Sequence, residues 1–235
     1  MTAPAATALV SGGKDSIYAA YLAETQGFAV GELVTLRPEE DDAWLFHTPN
    51  LPLVALQAEA WGKAHRSVAV AGRGEAAEAA ALHAALEGPP RLVTAGAIAS
   101  SYQWARLHRA CFELGHRLYT PLWGKDAGRV VREEIGAGLD IRLVHLAAEP
   151  LTPDLLGRRL DLALLGELER RSAEVRAVHV AGEGGEYETL VLDAPFFASR
   201  LVPDEVERTE RPGTSRLTVR RAHLAPKGQG PAESV

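Results

Sequence analysis

The sequence Ser11-Gly12-Gly13-Lys14-Asp15-Ser16 combines residue types that bind phosphate groups. It follows a short apolar run that predicts a strand, and it precedes a helical pattern. Glycines let the backbone turn tightly, and the first amides of a helix attract oxyanions. Ser11 and Ser16 add hydroxyl groups, and Lys14 adds a positive charge. These residues therefore predict a phosphate site at the end of the first strand.

Two other phosphate-binding patterns do not fit this loop. A Walker A loop requires a glycine where the chain has Ala8 and a hydroxyl where it has Asp15. The dinucleotide pattern Gly-x-Gly-x-x-Gly is missing from the loop as well, so hydride transfer on NAD has no support. The structural alternative is a tight turn between strand and helix, with Ser16 as the helix cap.

A second candidate segment, residues 96–103, also follows a predicted strand and opens a predicted helix. In an open α/β sheet this position lies at the carboxyl edge of the strands, where such sheets bind ligands. Small side chains at Gly96 and Ala97 would let a nucleotide approach closely, although close packing of helix and strand explains them equally well. The polar groups of the segment come from Ser100, Ser101, Tyr102 and Gln103.

Three glutamates, Glu183, Glu186 and Glu188, lie within six residues beside an apolar run. If the backbone is extended there, the carboxylates of Glu186 and Glu188 point to one face and repel each other unless a cation lies between them. Mg²⁺, ammonium or a quaternary ammonium group would each serve, and Tyr187 and Trp123 would offer aromatic faces to the last of these. A solvated acidic turn is the structural alternative.

The histidines give weaker signals. The segment His47-Thr48-Pro49-Asn50 holds the one asparagine of the chain, and Pro49 fixes the backbone beside it. A loop that caps the next helix explains the same residues. His108 and Cys111 share a predicted helical face, but two ligands alone do not make a zinc site, so we interpret both as packing residues.

Apolar runs and helical patterns alternate along most of the chain, as expected for βα units around a mostly parallel sheet. We therefore predict a doubly wound α/β fold. The predicted strands are residues 6–10, 29–36, 67–71, 92–94, 117–119 and 141–146. The predicted helices are residues 16–25, 54–62, 75–87, 102–114 and 130–137.

Turn signals from Pro121 onward predict the start of a smaller C-terminal α+β lobe. The predicted organisation is a nucleotide-binding domain of residues 1–120, a substrate-binding lobe of residues 121–224 and a disordered tail of residues 225–235. Within the lobe we predict a helix at residues 160–171 and a strand at residues 177–181, and the glycine-acid cluster leads into an apolar run at residues 189–192. A hairpin with its turn at residues 211–214 and its return strand at residues 217–222 completes the lobe.

Composition excludes several classes of protein. With 25 basic and 31 acidic residues the net charge is −6, without a basic block, so nucleic acid is not the expected partner. The single cysteine rules out an internal disulfide and favours a reducing compartment, for which we predict the cytoplasm. We expect no membrane partner, because the chain lacks a basic secretion leader and any apolar run long enough for a span.

The sequence of residues 11–16 resembles the pyrophosphate loop of the N-type ATP pyrophosphatases. The resemblance implies an adenine nucleotide alpha hydrolase-like, Rossmann-like fold and cleavage of ATP between the α and β phosphates to adenylate an oxygen. Thiouridine-forming members need paired cysteines, which this chain lacks. Amidotransferase members carry a glutaminase domain for which this chain has neither the length nor a second cysteine, so ammonia is the expected nitrogen donor.

Four further segments, residues 46–50, 96–103, 121–126 and 183–189, resemble the diphthine–ammonia ligase family in order and spacing. The resemblance covers about residues 6–200, and its most specific segment is Glu183-Gly184-Gly185-Glu186-Tyr187-Glu188-Thr189. It implies conversion of the carboxylate of diphthine, a modified histidine of elongation factor 2, into the amide diphthamide. ATP supplies the activation and leaves as AMP and pyrophosphate.

The resemblance also implies ATP and Mg²⁺ as cofactors, with Asp15 in the Mg²⁺ shell and Lys14 on the departing pyrophosphate. The expected catalytic residues are Lys14, Asp15, Glu183 and Glu186. The expected nucleotide-binding residues are Ser11, Gly12, Gly13, Lys14, Asp15, Ser16, Gly96, Ala97 and Ser100. The expected acceptor-binding residues are His47, Asn50, Tyr102, Gln103, Trp123, Glu186, Tyr187 and Glu188.

Two functional alternatives stay open. Diphthamide belongs to archaea and eukaryotes, so a bacterial member of the family would activate another carboxylate, for example a small cobalamin precursor. The second alternative is a regulatory module that binds ATP or AMP without turnover. The expected partners are elongation factor 2 bearing diphthine, and ammonia; whether the chain also forms a homo-oligomer stays open.

Overall fold

The computed structural model describes residues 3–38, 50–149, 151–175 and 178–228. The chain forms two compact units. The first comprises Met1–Ser11, Asp15–Glu59 and Lys63–Gly124, and the second comprises Gly12–Lys14, Ala60–Gly62 and Lys125–Val235. The middle of the glycine-rich loop therefore belongs with the C-terminal unit.

The first unit is built on a five-stranded parallel sheet with strand order β3-β2-β1-β4-β5. The order reverses at β1, so the carboxyl ends of β1 and β4 lie side by side at the position where such sheets bind ligands. The strands are β1 Ala5–Leu9, β2 Ala29–Pro38, β3 Ala64–Val70, β4 Leu92–Thr94 and β5 Arg117–Tyr119. The helices along this part of the chain are α1 Lys14–Thr25, α2 Val54–Trp61, α3 Glu75–Leu86 and α4 Ser101–Glu113.

One apolar cluster of this unit lies between the sheet and the apolar faces of α3 and α4. Val34, Val70 and Val93 from the strands are buried against Leu86 of α3 and Leu107 of α4. Burial of such side chains contributes roughly 1.5–3 kcal/mol each to folding. The predicted doubly wound, mostly parallel sheet is confirmed.

The second unit contains a four-stranded antiparallel sheet of order β7-β6-β9-β8 and two helices. Its elements are α5 Ala127–Gly136, β6 Asp140–Leu146, α6 Leu162–Val175, β7 Tyr187–Asp193, β8 Ser199–Arg211 and β9 Thr214–Pro226. The predicted hairpin is confirmed: Arg211 pairs with Thr214, and Gly213 takes the left-handed φ of +79° that the turn requires. The α+β lobe predicted from the sequence is thus present.

Several boundaries differ from the sequence prediction. The strand predicted at residues 177–181 is absent from residues 178–181, the part of it that the structure describes. The Gly182 N–H instead donates to the His179 carbonyl at 2.8 Å and closes a turn. Strand β7 begins at Tyr187, before the apolar run at residues 189–192. Strand β9 runs to Pro226, and residues 229–235 lie outside the described residues. No helix in the described ranges has the length and apolar character that crossing a bilayer requires.

Candidate functional site

The loop of residues 11–16 joins β1 to α1 through a left-handed glycine. Gly12 has φ of +84°, which a residue with a side chain adopts only under strain. The Ser11 N–H donates to Ser16 Oγ at 3.2 Å, and the two hydroxyl oxygens lie 3.4 Å apart. Helix α1 begins at Lys14, so Ser16 is inside its first turn and is not the predicted cap. The structure thus brings both serine hydroxyls to the start of the helix.

The loop after β4 packs directly on the same helix start. A Cβ atom on Gly96 would lie 2.5 Å from the carbonyl carbon of Asp15 and 2.6 Å from the backbone nitrogen of Ser16. Only glycine therefore permits this approach of the two backbones. Ala97 is buried beside it, and Ser100 Oγ caps α4 by accepting the Gln103 N–H at 3.3 Å. The small residues of this segment have the packing function that the sequence left open as an alternative.

Lys14 points into the second unit, where its side chain is 1% exposed. Its Nζ donates to the Ala181 carbonyl at 2.9 Å, lies 3.8 Å from Glu134 Oε2 and lies 5.9 Å from the centroid of the Tyr187 ring. Its backbone N–H donates to Thr189 Oγ1 at 3.1 Å. The predicted phosphate-binding cation is therefore held by a carbonyl, a carboxylate and an aromatic ring of the protein.

The carboxylates of two of the three clustered glutamates have separate partners, and the backbone N–H of the third, Glu183, donates to His179 Nδ1 at 3.4 Å. The carboxylate of Glu186 turns back onto its own loop, where it accepts the His179 N–H at 3.0 Å and the Gly184 N–H at 2.9 Å. Glu188 lies 3.5 Å from His145 Nδ1 on the neighbouring strand β6. The extended backbone that would point both carboxylates to one face is not present, because Glu186 precedes β7 and Glu188 lies within it. The described residues contain no group of three or more His, Cys, Asp or Glu that would hold a metal ion.

The two aromatic residues proposed for a quaternary ammonium have different surroundings. Tyr187 is 3% exposed, and its hydroxyl donates to the Val180 carbonyl at 2.6 Å. The cation near its ring is the ammonium of Lys14, so the Tyr187 ring makes a packing contact inside the second unit. Trp123 is half-buried in the first unit and stacks on Trp104, with 5.5 Å between the ring centroids. Trp104 in turn stacks on His108 at 4.9 Å.

Tyr102 offers a second aromatic face in the first unit, since its side chain is 40% exposed. The guanidinium of Arg106 lies 3.1 Å from the centroid of its ring and pairs with Glu75 at 2.8 Å. Partial burial and the negative charge of Glu78 raise the pKa of Tyr102, so the phenol is neutral at neutral pH.

The remaining candidates are buried or fall outside the described residues. Asn50 is 1% exposed at the start of a 3₁₀ turn, Leu51–Leu53, and its carbonyl accepts the Leu53 N–H at 2.9 Å. His47 lies outside the described residues. Cys111 lies in the core, where burial raises the pKa of its thiol to about 11, as expected of a packing residue rather than a nucleophile.

Two family models match the chain in succession. The diphthamide synthase N-terminal domain matches residues 5–118, and the diphthamide synthase C-terminal domain matches residues 126–224. The chain belongs to the diphthamide synthase family.

Individual relatives agree with this membership. A diphthine–ammonia ligase from Rattus norvegicus is 32% identical over 230 residues, which cover 85% of this chain and 83% of that protein. The diphthine–ammonia ligase from Homo sapiens is 31% identical with the same shares. The diphthine–ammonia ligase from Schizosaccharomyces pombe is 31% identical over 86% of this chain and 36% of its own length. The family resemblance that the motifs predicted is confirmed.

In this diphthamide synthase family member, contacts of the loop at residues 11–16 join the two matched stretches of sequence. Residues 12–14 lie within the N-terminal match, yet the contacts of Lys14 described above are to residues of the C-terminal match. Besides the contacts of Lys14, the Gly12 carbonyl accepts the Val191 N–H at 3.0 Å.

Sequence reasoning did not single out Glu134, which contacts Lys14 in the second unit, or Trp104, which stacks on Trp123 in the first unit. Glu134 follows Val130 by one helical turn, so an acidic residue on the buried face of α5 was the available signal. Trp104 and His108 share the same spacing on α4.

Proposed function

We propose that this diphthamide synthase family member is an ATP-dependent ligase that amidates the carboxylate of diphthine on elongation factor 2. Ammonia is the nitrogen donor, and AMP and pyrophosphate are the other products. The name shared by the relatives supports this acceptor. The observation that carries the activation chemistry is the loop of residues 11–16 at the start of α1, with the Gly96 backbone packed against it.

Amidation of a carboxylate requires activation, because oxide is a poor leaving group. In the proposed reaction a carboxylate oxygen attacks the α-phosphorus of ATP, and the bond between the α-phosphorus and the bridging oxygen breaks to release pyrophosphate. The nitrogen of ammonia then attacks the acyl carbon, AMP leaves with the bond electrons, and the nitrogen loses a proton. The contribution of the protein to the first step is positioning and neutralisation of charge on the phosphates.

The residues of the loop fit a triphosphate. The amides at the start of α1 and the hydroxyls of Ser11 and Ser16 are suited to hold the β and γ phosphates. Asp15 is partly exposed and would contribute to the Mg²⁺ shell. The phosphates themselves and water would supply the other Mg²⁺ ligands. Bound Mg²⁺ would screen the phosphate charge.

For the acceptor, we propose the aromatic residues of the first unit. Tyr102 and the stacked pair Trp104 and Trp123 are at least partly accessible. Arg106 covers one face of the Tyr102 ring and Trp104 also stacks on His108, so the remaining faces of Tyr102 and Trp123 would contact the trimethylammonium group of diphthine. Gln103 is partly exposed beside Tyr102. Glu183 and Glu186 of the family-specific segment are proposed to act in the amidation step.

Product analysis tests the proposal. The protein is mixed with Mg-ATP and ammonium, with and without elongation factor 2 that bears diphthine, and AMP, ADP, pyrophosphate and the mass of the factor are measured. We expect AMP and pyrophosphate only with the factor, together with conversion of its acid to the amide. AMP without a change in the factor would replace the acceptor by another carboxylate. ATP binding without AMP in any mixture would favour the regulatory module.

A further inference from the structure

The second unit contains a buried ion pair between Lys14 and Glu134 of helix α5. Lys14 belongs to the loop at residues 11–16, which we call the phosphate loop because the proposed function assigns the phosphates of ATP to it. Lys14 Nζ lies 3.8 Å from Glu134 Oε2, and the two side chains are 1% and 0% exposed. The pair joins residues 120 positions apart in the sequence. Neither the predicted phosphate binding nor the predicted substrate binding uses Glu134.

Because both side chains are buried, the position of the Lys14 ammonium depends on the Glu134 carboxylate. A buried ammonium is costly unless an opposite charge and hydrogen-bond acceptors surround it. Here the Ala181 carbonyl accepts a hydrogen bond at 2.9 Å, and Glu134 supplies the negative charge. Removal of one member of a buried pair leaves the other uncompensated, so the ammonium of Lys14 would move away from its place.

The position of the Lys14 side chain also affects the backbone of the loop. Its N–H donates to Thr189 Oγ1, and the Gly12 carbonyl two residues earlier accepts the Val191 N–H. The side chain and the backbone therefore fasten residues 12–14 to the same unit at three separate places. A shift of the ammonium would pull on a loop whose turn depends on the left-handed Gly12.

We propose that Glu134 is a positioning residue of the phosphate loop, which acts through Lys14. Glu134 fixes the ammonium of Lys14 in the second unit and so holds residues 11–16 in the shape that binds the β and γ phosphates of ATP. This inference rests on the proposed function, because that function assigns ATP to the loop.

The test compares nucleotide affinities of the full chain by calorimetry. For Glu134→Gln we expect the Kd for Mg-ATP to rise about tenfold, because a loss of this size corresponds to one contact with a charged group. The Kd for AMP should stay within about twofold of the wild-type value. AMP lacks the phosphates that the loop would hold, so a general structural defect would weaken both ligands alike. Equal weakening of ATP and AMP, or unchanged ATP affinity, would overturn the inference.

The adjacent residue provides a matched control. Glu133 lies on the same helix and contacts Lys125 and Arg129, each at 2.9 Å, rather than Lys14. We expect Glu133→Gln to leave both nucleotide affinities unchanged, although it makes the same chemical change one residue away. An equal loss of ATP affinity in this variant would contradict a specific contribution of Glu134.

A double variant tests whether Glu134 acts through Lys14. If it does, Lys14→Met with Glu134→Gln has the ATP affinity of Lys14→Met alone, whereas independent effects would add. If Glu134→Gln does not fold, Glu134→Asp is the variant to measure, because it keeps the negative charge at a greater distance from Lys14. Its ATP affinity should lie between those of the wild-type chain and Lys14→Met. An ATP affinity equal to that of the wild-type chain would overturn the inference. Failure of the wild-type chain to bind ATP would instead contradict the proposed function.

Discussion

The chain contains two glycine-rich loops that are stabilised in different ways. The loop at residues 182–186 is held mainly by residues near it in sequence, because the Glu186 carboxylate accepts the N–H groups of His179 and Gly184. One distant residue also contacts it, since the Ala147 N–H donates to the Glu186 carbonyl at 2.8 Å. The loop at residues 11–16 is shaped by distant residues, among them Gly96 and Thr189. The loop at residues 182–186 therefore depends mostly on nearby residues. The loop at residues 11–16 depends on residues far away in the chain and is sensitive to changes there.

The largest effect is expected where a distant backbone contacts the loop at residues 11–16. In Gly96→Ala the new Cβ would lie 2.5 Å from the Asp15 carbonyl carbon, so the start of α1 must move. A displacement of about 1 Å at a reacting site costs about 100-fold in rate, and we expect at least this loss in AMP formation. Single-turnover measurement of AMP checks it.

A second glycine gives the control for this variant. Gly31 in β2 has no atom within 4 Å of an added Cβ and no left-handed φ, so Gly31→Ala should retain its rate of AMP formation. If Gly96→Ala were as active as Gly31→Ala, the phosphate loop would not depend on its distant contacts, and the distinction between the two loops would fail.

The next effect concerns the locally shaped loop. Glu186→Gln leaves one acceptor oxygen for two N–H groups, so the turn at residues 182–186 loses a hydrogen bond. We expect amide formation to fall more than tenfold while ATP affinity stays within about twofold, since charged hydrogen bonds are worth roughly 1.5–3 kcal/mol. Amide yield and ATP calorimetry measure the two quantities.

Exposed Glu210 on β8 provides the comparison for Glu186. Glu210→Gln should change neither quantity. A parallel loss of ATP affinity and amide formation in Glu186→Gln would show that the loop at residues 182–186 supports the loop at residues 11–16. The two loops would then no longer be independent.

A smaller effect is expected from the aromatic residues of the first unit. Trp104→Ala removes the ring on which Trp123 stacks, and aromatic pairs contribute about 0.5–1.5 kcal/mol. We expect the KM for the acceptor to rise about fivefold, with the KM for ATP unchanged. Phe112→Ala on the same helix removes an aromatic ring that is 78% exposed and should leave both constants unchanged. A rise in the KM for ATP would place Trp104 at the nucleotide instead.

The smallest effect lies at Glu133, away from both loops. Hydrogen bonds from Lys125 and Arg129 lower the pKa of Glu133 despite partial burial. Because the folded pKa is depressed, the stabilisation is present above the unfolded pKa of about 4.3 and is lost as the pH falls through the folded pKa. Glu133→Gln should lower the free energy of unfolding by no more than about 0.5 kcal/mol at neutral pH.

Urea unfolding at neutral and acidic pH measures this difference between Glu133→Gln and the wild-type chain. The difference should shrink with falling pH and vanish once Glu133 is protonated in the folded state. A difference that persists in acid would show that Glu133 stabilises the fold through packing rather than through its charge.

Much of the fold was predictable because its signals are local. Strands β4 and β5 were predicted at their observed bounds, since each is a short apolar run after a polar turn. The hairpin turn was predicted from Pro212 and Gly213 for the same reason. The strand expected at residues 177–181 was wrong for the described residues 178–181, because buried Val178 precedes a turn from His179 to Gly182 and buried Ala181 lies within that turn. An apolar pattern of that length does not distinguish a short buried strand from a buried turn.

The site was less predictable than the fold because its contacts join distant residues. The sequence indicated the phosphate loop from its composition, but not that Lys14 points to Glu134 and Ala181. For Tyr187, the motif suggested an aromatic face for a ligand, whereas the structure places the ammonium of Lys14 there. Such partners depend on the packing of a second unit, which no local pattern specifies.

The assignment of Gly12–Lys14 to the second unit has a consequence for dividing the chain into fragments. A cut between the two matched domains, after residue 118 and before residue 126, would separate Lys14 from the buried carboxylate of Glu134. The C-terminal fragment would then contain a buried negative charge that has lost its counter-ion. It should fold poorly alone and regain its structure when an N-terminal fragment containing the loop is supplied in trans.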